Sequence, residues 1–439
     1  MSLLDIDRTP LRRLTAVFVA WKLVIALIAI AAPGPGYDTS STFLHLSPRS
    51  VSARLASSTS HTPDLLAKFV RWDAIYFTQI AQRGYVFEQE WAFGVGLSTT
   101  LRWLTQRLFL NRRPELYQIA VTGVLLSHGM HYLSTILTYY IASIIVGFPT
   151  KTRRGASSAS SVQSRVPALA ALLYILSPAG IILSAPYTEA LFAFRNLLGL
   201  LVYLVALRSP PTSSTTKALL TIISGLILST ATAVRSNGIL SGMPFLLAFL
   251  AQLYHATTSV LHNHHLPPTS AILNLGSLLI AGLLIAAGQM LPQVPAYRQF
   301  CISSSSSSPP RPWCSYTIPS IFTFAQSEYW NVGLFNYWTA GNIPLFALAA
   351  PAITLLAYSS YSGLQQVLSR RSNISRIALV CNDTSGIVTL ALPQLVLAIA
   401  ALFAFHVQII TRIASGYPWW YIWVAKWIVD DEEEKRQNK

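Results

Sequence analysis

The sequence has few charged residues for its length: only 11% of its 439 residues are Asp, Glu, Lys or Arg, and only 16 are acidic. Hydrophobic residues make up 52% of the chain, and the mean hydropathy is +0.47. These values exclude an ordinary set of soluble domains, whose surfaces need more charge. The composition predicts an all-α polytopic membrane protein, with residues 1–439 forming a single integral membrane domain.

Ten apolar runs have a length compatible with helices that cross or enter a bilayer. They cover residues 14–32, 116–147, 166–185, 187–207, 218–234, 239–254, 271–291, 343–359, 387–411 and 417–429. Several are short for complete spans and also fit re-entrant or broken helices. We therefore expect about ten transmembrane helices.

Two motifs of soluble nucleotide-binding proteins are missing, the P-loop and G-x-G-x-x-G, so the sequence predicts no such site. The net charge of +15 does not indicate a nucleic-acid partner, because the basic residues lie mostly in short clusters between apolar runs. We predict no cofactor and no metal ligands. A divalent ion stays open, since Asp73, Glu88 and Glu90 could ligate a hard cation.

Cysteine is also scarce, with three residues. Cys301 and Cys314 flank a Ser- and Pro-rich segment, and Cys381 stands alone. A disulfide between the first two would form in an oxidising compartment, but spacing alone leaves two unpaired thiols equally open.

The charge of the short loops predicts the orientation in the membrane. Basic clusters at 151–165, 208–217 and 370–376 are expected in the cytosol with the N-terminus. Strict alternation of ten spans then makes residues 33–115 a long first luminal loop and residues 292–342 a second large one. It also places the sequons at Asn373 and Asn382 in the cytosol, where they should remain unmodified.

The first luminal loop contains a polar stretch at 69–96. Apolar residues recur at helical spacing in LLAKFVRWDAIYFTQIA and again in WAFGVGLSTTLRWLTQRLFL, which predicts amphipathic helices on the membrane surface. A small folded luminal domain would give a similar pattern. The stretch holds Trp72, Asp73, Glu88 and Glu90. Carboxylates in a hydrated loop can act as general bases on a membrane-bound substrate. Asp73 could equally cap a helix, and both glutamates could simply be solvated.

Four other polar blocks fall on the same predicted side of the membrane. They contribute Tyr187 and Glu189, Arg235 and Asn237, Asn331 and Trp338, and Arg412 and Trp419. The aromatic residues also fit an interfacial belt, and Arg235 could pair with Glu189. Ionisable residues at membrane depth are nevertheless functional candidates, so we expect one luminal cavity lined by these blocks.

Five ordered blocks carry a resemblance to a known family. They are RWDAIYFTQIAQRGY with EQEWAFGVG, SPAGIILSAPYTEALFAF, TAVRSNGIL, YWNVGLFNYWTAGNIPLFALAAP and HVQIITRIASGYPWWYIW. The chain resembles the GPI mannosyltransferase 2 family (PIG-V type), and AFGVG is similar to its fungal members. The resemblance covers most of the chain from about residue 70 to 425.

The resemblance implies a multispanning GT-C glycosyltransferase of the endoplasmic reticulum membrane with its active site in the lumen. It would transfer the second mannose, α-1,6-linked, from dolichyl phosphate mannose to a mannosyl-glucosaminyl-acylphosphatidylinositol, with inversion. Asp73 would be the general base, Trp72 would shape the substrate pocket, and either Arg235 or Arg412 would hold the donor phosphate. Glu88, Glu90, Tyr187, Glu189, Asn237, Asn331, Trp338 and Trp419 are further candidates for substrate binding.

Other functions fit parts of the same pattern. Another dolichyl-phosphate-sugar-dependent GT-C enzyme would differ only in its acceptor. A polytopic lipid transporter would also have intramembrane charge, but it should contain internal repeats, and none is visible. A non-catalytic subunit is a third alternative, and a small membrane-protein partner subunit is compatible with the sequence.

Overall fold

The computed structural model describes residues 10–33, 40, 65–147, 158–210, 212–263, 266–302, 311–369 and 386–438. These parts of the chain contain helices and no strand. The α-helices are α1 (Pro10–Ala31), α2 (Asp73–Arg83), α3 (Val95–Leu108), α4 (Leu116–Val146), α5 (Ser158–Ile175), α6 (Thr188–Arg208), α7 (Ser214–Val234), α8 (Met243–Asn263), α9 (Thr269–Met290), α10 (Gln293–Tyr297), α11 (Ile321–Glu328), α12 (Ile343–Leu368), α13 (Gly386–Phe403), α14 (Ile410–Ile413) and α15 (Trp419–Gln437). The predicted all-α membrane architecture is confirmed.

Eight helical segments in the described ranges are long and apolar enough to cross a membrane. They are Pro10–Ala31, Leu116–Val146, Thr188–Arg208, Ser214–Val234, Ser236–Leu261, Thr269–Ile302, Ala340–Leu368 and Gly386–Phe403. Each corresponds to one of the predicted runs. The remaining two runs, at 166–185 and 417–429, lie in helices that are not both long and apolar enough to be candidate spans. The sequons at Asn373 and Asn382 lie outside the described residues.

Two predicted runs are broken where the sequence looked continuous. Helix α5 covers only the first part of the run at 166–185. It ends at Ile175, because Pro178 disfavours helical backbone at the residue before it. The run at 387–411 stops at Phe403, whose carbonyl accepts a hydrogen bond from Phe335 N at 2.7 Å. His406 then contacts the Trp330 carbonyl at 2.8 Å. Tertiary contacts replace the helix at this point and turn the chain towards a cavity.

The centre of the bundle is the series α4, α6, α7 and α9, in which each helix packs against the next. Small residues allow this close approach: a Cβ on Gly225 of α7 would lie 2.5 Å from the Ala281 Cα of α9. Because α6 and α7 run antiparallel, the start of α6 and the end of α7 meet at one end of the bundle. We call this the cavity end, and it carries Glu189 and Arg235.

Helices α2 and α3 lie between the first and second spans and pack against α4, while α3 also packs against α7. Their apolar sides join a core cluster that includes Phe77 and Leu101. Helix formation in this part of the predicted first loop is therefore confirmed. These helices also bury one side within the protein, which fixes the position of Asp73 at the start of α2.

The segment 311–330 packs against the 3-10 helix Glu88–Ala92. Trp313 is fully buried and donates its ring N–H to Glu88 Oε1 at 3.0 Å. Next to it, Cys314 forms a disulfide with Cys301, with their Cα atoms 5.7 Å apart. Of the two alternatives for these cysteines, the structure has the pair.

We expect Cys301→Ser, Cys314→Ser and the double variant to destabilise the protein equally, since each removes the same bond. A bridge across a sequence separation of 13 residues contributes about 3 kcal/mol in the chain-entropy description. Thermal unfolding in detergent would measure the loss. If the double variant lost twice as much as either single variant, the cysteines would be acting independently and the pairing would be wrong.

Candidate active site

A cavity of about 590 Å³ opens at the cavity end of the bundle. Polar and aromatic side chains from distant parts of the sequence line it: Trp72, Asp73, Phe77, Phe93, Thr188, Arg235, Ser236, Gln326, Trp330, His406, Gln408, Thr411 and Arg412. Four of the predicted sequence blocks and the 69–96 stretch therefore contribute residues to one cavity.

The carboxylate of Asp73 and the guanidinium of Arg412 meet on the cavity wall. Arg412 donates from Nη2 to Asp73 Oδ2 at 2.7 Å, across 339 residues of sequence. Asp73 begins α2, and Arg412 lies in the short helix α14. About a quarter of the Asp73 side chain is exposed, so this carboxylate is both oriented by a cation and accessible to a substrate.

Behind this pair, Glu189 is completely buried and lies between two arginines. Arg235 Nη1 donates to Glu189 Oε1 at 2.9 Å, and Arg412 Nε lies 3.2 Å from the same oxygen. Asp73, Arg412, Glu189 and Arg235 thus form a continuous series of opposite charges, which we call the charge chain. Its formal charges cancel, as a partly dehydrated site requires.

One donor of the charge chain has no hydrogen-bond partner. The Arg412 Nε–H is buried at ion-pair distance from Glu189 but is not aligned for a hydrogen bond, and it has no other partner among the described residues. Burial lowers the pKa of Arg412, but the carboxylates of Glu189 and Asp73 raise it by more, so the net direction is upward. The guanidinium therefore keeps its charge on the cavity wall.

Neighbouring side chains hold the arginines in place. The Arg235 Nε–H donates to Asn237 Oδ1 at 3.4 Å, and Asn237 Nδ2 donates to Tyr417 Oη at 3.2 Å. Arg412 lies over the Tyr187 ring at 5.5 Å, and the Tyr187 hydroxyl donates to the Arg71 carbonyl at 2.9 Å. Burial, and then the charge of Asp73, raise the pKa of Tyr187. Asn237 and Tyr187 therefore support the cavity wall from behind.

Trp72 lies on the cavity wall directly before Asp73 and has an unusual backbone. Its φ of 48° and ψ of −122° fall in a region that side-chain-bearing residues rarely adopt. Its side chain is 58% exposed. This turn sets the direction in which Asp73 enters the cavity, and the predicted role of Trp72 in the substrate pocket stays a prediction.

The structure places Glu88 and Glu90 away from the cavity wall. Glu88 accepts hydrogen bonds from Trp313 and from Tyr329 Oη at 3.2 Å and lies 3.5 Å from Arg311. Glu90 pairs with Arg83 at 2.5 Å. Burial raises the pKa of Glu90, but Arg83 and two backbone N–H groups lower it by more. Both glutamates have protein partners, and we leave them out of the proposed substrate site.

Three other predicted residues also lie off the cavity wall. Trp419 is buried in the core and donates its ring N–H to the Ser359 carbonyl at 2.8 Å. Trp338 is half exposed, stacks on Phe403 and donates to the Leu402 carbonyl at 2.8 Å. Asn331 is exposed and has a φ of 50°. None of the three contacts the charge chain.

The cavity wall also contains polar groups that were not among the predicted site residues. Thr188 accepts a hydrogen bond from Arg235 at 2.6 Å. Gln408 Oε1 and Trp330 Nε1 are buried without a hydrogen-bond partner in the described part of the chain. Such buried groups have unused hydrogen-bonding capacity. Gln408 was missed because it falls within an apolar run, whereas Trp330 lies in a recognised block but resembles a belt tryptophan.

No group of three or more His, Cys, Asp or Glu side chains in the described ranges is arranged to hold a metal ion. The absence of a cofactor stays a prediction. The groups present suit group transfer: a carboxylate can take a proton while adjacent guanidiniums stabilise an anionic leaving group.

Apolar helices around a cavity with a charged wall define an integral membrane protein with a polar site at one end of its helix bundle. A family model described as mannosyltransferase (PIG-V) matches residues 11–439. The chain belongs to that family, and it is a glycosyltransferase, as the resemblance implied. The transporter and non-catalytic alternatives are set aside.

Similar proteins from fungi and mammals extend over much of the chain. GPI mannosyltransferase 2 of Gibberella zeae is 36% identical over 99% of this chain and 93% of its own length. The Aspergillus oryzae protein of the same name is 39% identical over 94% and 86%. GPI alpha-1,6-mannosyltransferase 2 of Cricetulus griseus is 30% identical over 70% and 61%. The predicted family, including its fungal members, is confirmed.

Among solved structures, an apo oligosaccharyltransferase from Archaeoglobus fulgidus aligns with 97% of this chain at a TM-score of 0.45 and 12% identity. The alignment covers 51% of that protein, so this chain spans about half its length.

Proposed function

We propose that this enzyme transfers the second mannose, in α-1,6 linkage, from dolichyl phosphate mannose to the mannosyl-glucosaminyl-acylphosphatidylinositol intermediate of GPI-anchor synthesis. The names of the fungal and mammalian relatives support the reaction. The observation that carries the mechanism is the charge chain, which puts a candidate base and two cations on one cavity wall.

In the proposed reaction, Asp73 takes the proton from the acceptor hydroxyl while the hydroxyl oxygen forms a bond to C1 of the donor mannose. The bond from C1 to the phosphate oxygen breaks, and the phosphate leaves with the electron pair. Arg235 and Arg412 both contact the same Glu189 oxygen, so their guanidiniums are adjacent. We therefore assign them to the phosphate jointly. A single displacement converts the β-linked donor into an α-linked product.

The donor's isoprenoid chain has a candidate binding site beside the cavity. A groove of about 260 Å³ is lined mainly by apolar residues of α12, including Pro351, Ala352 and Leu355. It shares Pro178, Leu348 and Thr411 with the main cavity. Thr411 precedes Arg412, so a chain in this groove would leave its phosphate near the guanidiniums.

We assign the enzyme to the endoplasmic reticulum membrane with its active site in the lumen. Two observations support this orientation. The paired Cys301 and Cys314 fit an oxidising compartment. The segment that follows them also contributes Gln326 and Trp330 to the cavity, so the disulfide and the active site belong to the same end. A small partner subunit remains compatible with this arrangement.

The proposal is tested in cells that lack the second GPI mannosyltransferase. Wild-type chain should restore GPI-anchored proteins at the cell surface, and microsomes should transfer labelled mannose from dolichyl phosphate mannose to the singly mannosylated acceptor. A lipid-linked N-glycan precursor serves as the control acceptor. Transfer to that control with none to the GPI precursor would identify a different dolichol-dependent glycosyltransferase.

A further inference from the structure

A second groove, of about 570 Å³, lies at the cavity end beside α9, α10 and α11, and nothing described so far uses it. Its outer edge is apolar and exposed, with Met290, Val294 and Ile318. Other parts of its lining carry neutral polar side chains, Gln289, Gln293, Ser320 and Thr323. We call it the amide groove.

The amide groove adjoins the catalytic cavity. A small space of about 30 Å³ lies between them. That space shares Gln289 and Gln293 with the amide groove, shares Phe93 and Gly94 with the catalytic cavity, and borders Ser236, which lines all three. The three spaces therefore lie side by side between an exposed apolar edge and the wall that carries Asp73.

The two grooves differ in the ligand that they suit. The α12 groove is the smaller of the two and almost entirely apolar, which fits a hydrocarbon chain that makes no hydrogen bonds. The amide groove is about twice as large and offers amides and hydroxyls without a charged side chain. Neutral donors and acceptors beside an apolar edge suit a glycolipid, because its sugars need hydrogen bonds while its acyl chains remain in the bilayer.

Gln289 is positioned to form hydrogen bonds with such a ligand. It lines both the amide groove and the small space. Its side-chain amide makes no hydrogen bond within the described part of the chain, whereas Gln293 accepts one from Ser320 at 2.7 Å. An amide that is not engaged by the protein can bond to sugar hydroxyls without first breaking an internal contact.

We propose that the amide groove is the binding site of the glycolipid acceptor, and that the acceptor's glycan passes Gln289 and Ser236 to reach Asp73. The two lipid substrates then use separate grooves, since the amide groove and the α12 groove have no lining residue in common. This inference rests on the proposed function and adds the place and direction of acceptor entry.

Steady-state kinetics of Gln289→Leu in microsomes would test the inference. The variant should raise the KM for the acceptor about threefold to tenfold, the effect of one lost neutral hydrogen bond, and leave the KM for dolichyl phosphate mannose unchanged. Gln365→Leu, an exposed glutamine on α12, is the matched control and should change neither value. An unchanged acceptor KM, or a raised donor KM, in Gln289→Leu would overturn the assignment.

A photo-crosslinking amino acid at Ile318, which is 76% exposed, gives a second measurement that does not depend on the Gln289 variant folding. It should capture labelled acceptor, and unlabelled acceptor should compete while dolichyl phosphate does not. Capture of the donor, or of phosphatidylcholine without competition by the acceptor, would contradict the proposal. If wild-type enzyme transferred no mannose to the acceptor, the proposed function itself would fail.

Discussion

Asp73→Asn is expected to lower kcat by roughly 10² to 10⁴, the usual contribution of a general base. Asparagine has nearly the same shape and keeps an oxygen that can accept the Arg412 hydrogen bond, so the local structure should survive. It cannot take a proton from the acceptor hydroxyl at neutral pH. The measurement is mannose transfer in microsomes at matched protein levels, together with thermal unfolding in detergent.

The controls separate chemistry from charge pairing. Asp431→Asn removes a carboxylate that pairs with Lys435 on α15, and it should leave kcat unchanged. Asp73→Glu keeps both a base and the negative charge beside Arg412, so it should recover part of the activity. Loss of activity in Asp73→Asn at an unchanged thermal midpoint would show that the loss is catalytic rather than structural. Full activity of Asp73→Asn would remove this residue from the mechanism.

Glu189→Gln is expected to have the largest effect on stability. The carboxylate is completely buried and contacts both Arg235 and Arg412. Its neutralisation leaves two guanidiniums facing one remaining carboxylate, Asp73. Breaking a buried ion pair from one side costs about 3 to 5 kcal/mol. We expect a clear fall in the thermal midpoint and loss of mannose transfer, since the guanidiniums would no longer be held together.

Glu432→Gln is the matched control for this charge loss. Glu432 pairs with Arg165 at 2.5 Å, but both side chains are partly exposed, so its loss should cost at most about 1 kcal/mol. Equal destabilisation by the two variants would show that Glu189 acts as an ordinary surface carboxylate. Glu189→Asp should be less damaging than Glu189→Gln because it keeps the charge.

The central charges of the site were predictable from sequence because ionisable residues near the ends of apolar helices are rare. Glu189, Arg235 and Arg412 stood out for that reason, Asp73 stood out in a polar loop through the family resemblance, and the structure brings all four together. What the sequence left open was their pairing. The contact between Asp73 and Arg412 joins residues that are 339 positions apart, and no local pattern encodes such a contact.

Glu88 and Trp419 illustrate why the remaining candidates were harder to place. A glutamate in a polar loop has the same sequence signature whether it binds a substrate or a distant tryptophan, and the partner here is Trp313. A tryptophan near the end of an apolar run fits the membrane interface as well as the core. Helix α15 buries Trp419 against α12, which depends on how helices pack rather than on hydropathy.

The backbone at Trp72 has a consequence for how this enzyme can change under selection. A residue held at φ 48° and ψ −122° stores about 1 to 3 kcal/mol that a glycine would largely release. Laboratory evolution for heat resistance alone should therefore favour glycine at this position. The same substitution would remove the aromatic wall beside Asp73, so lineages that gain thermal tolerance here would lose turnover. A gain in thermal stability at this residue is therefore expected to lower the catalytic turnover.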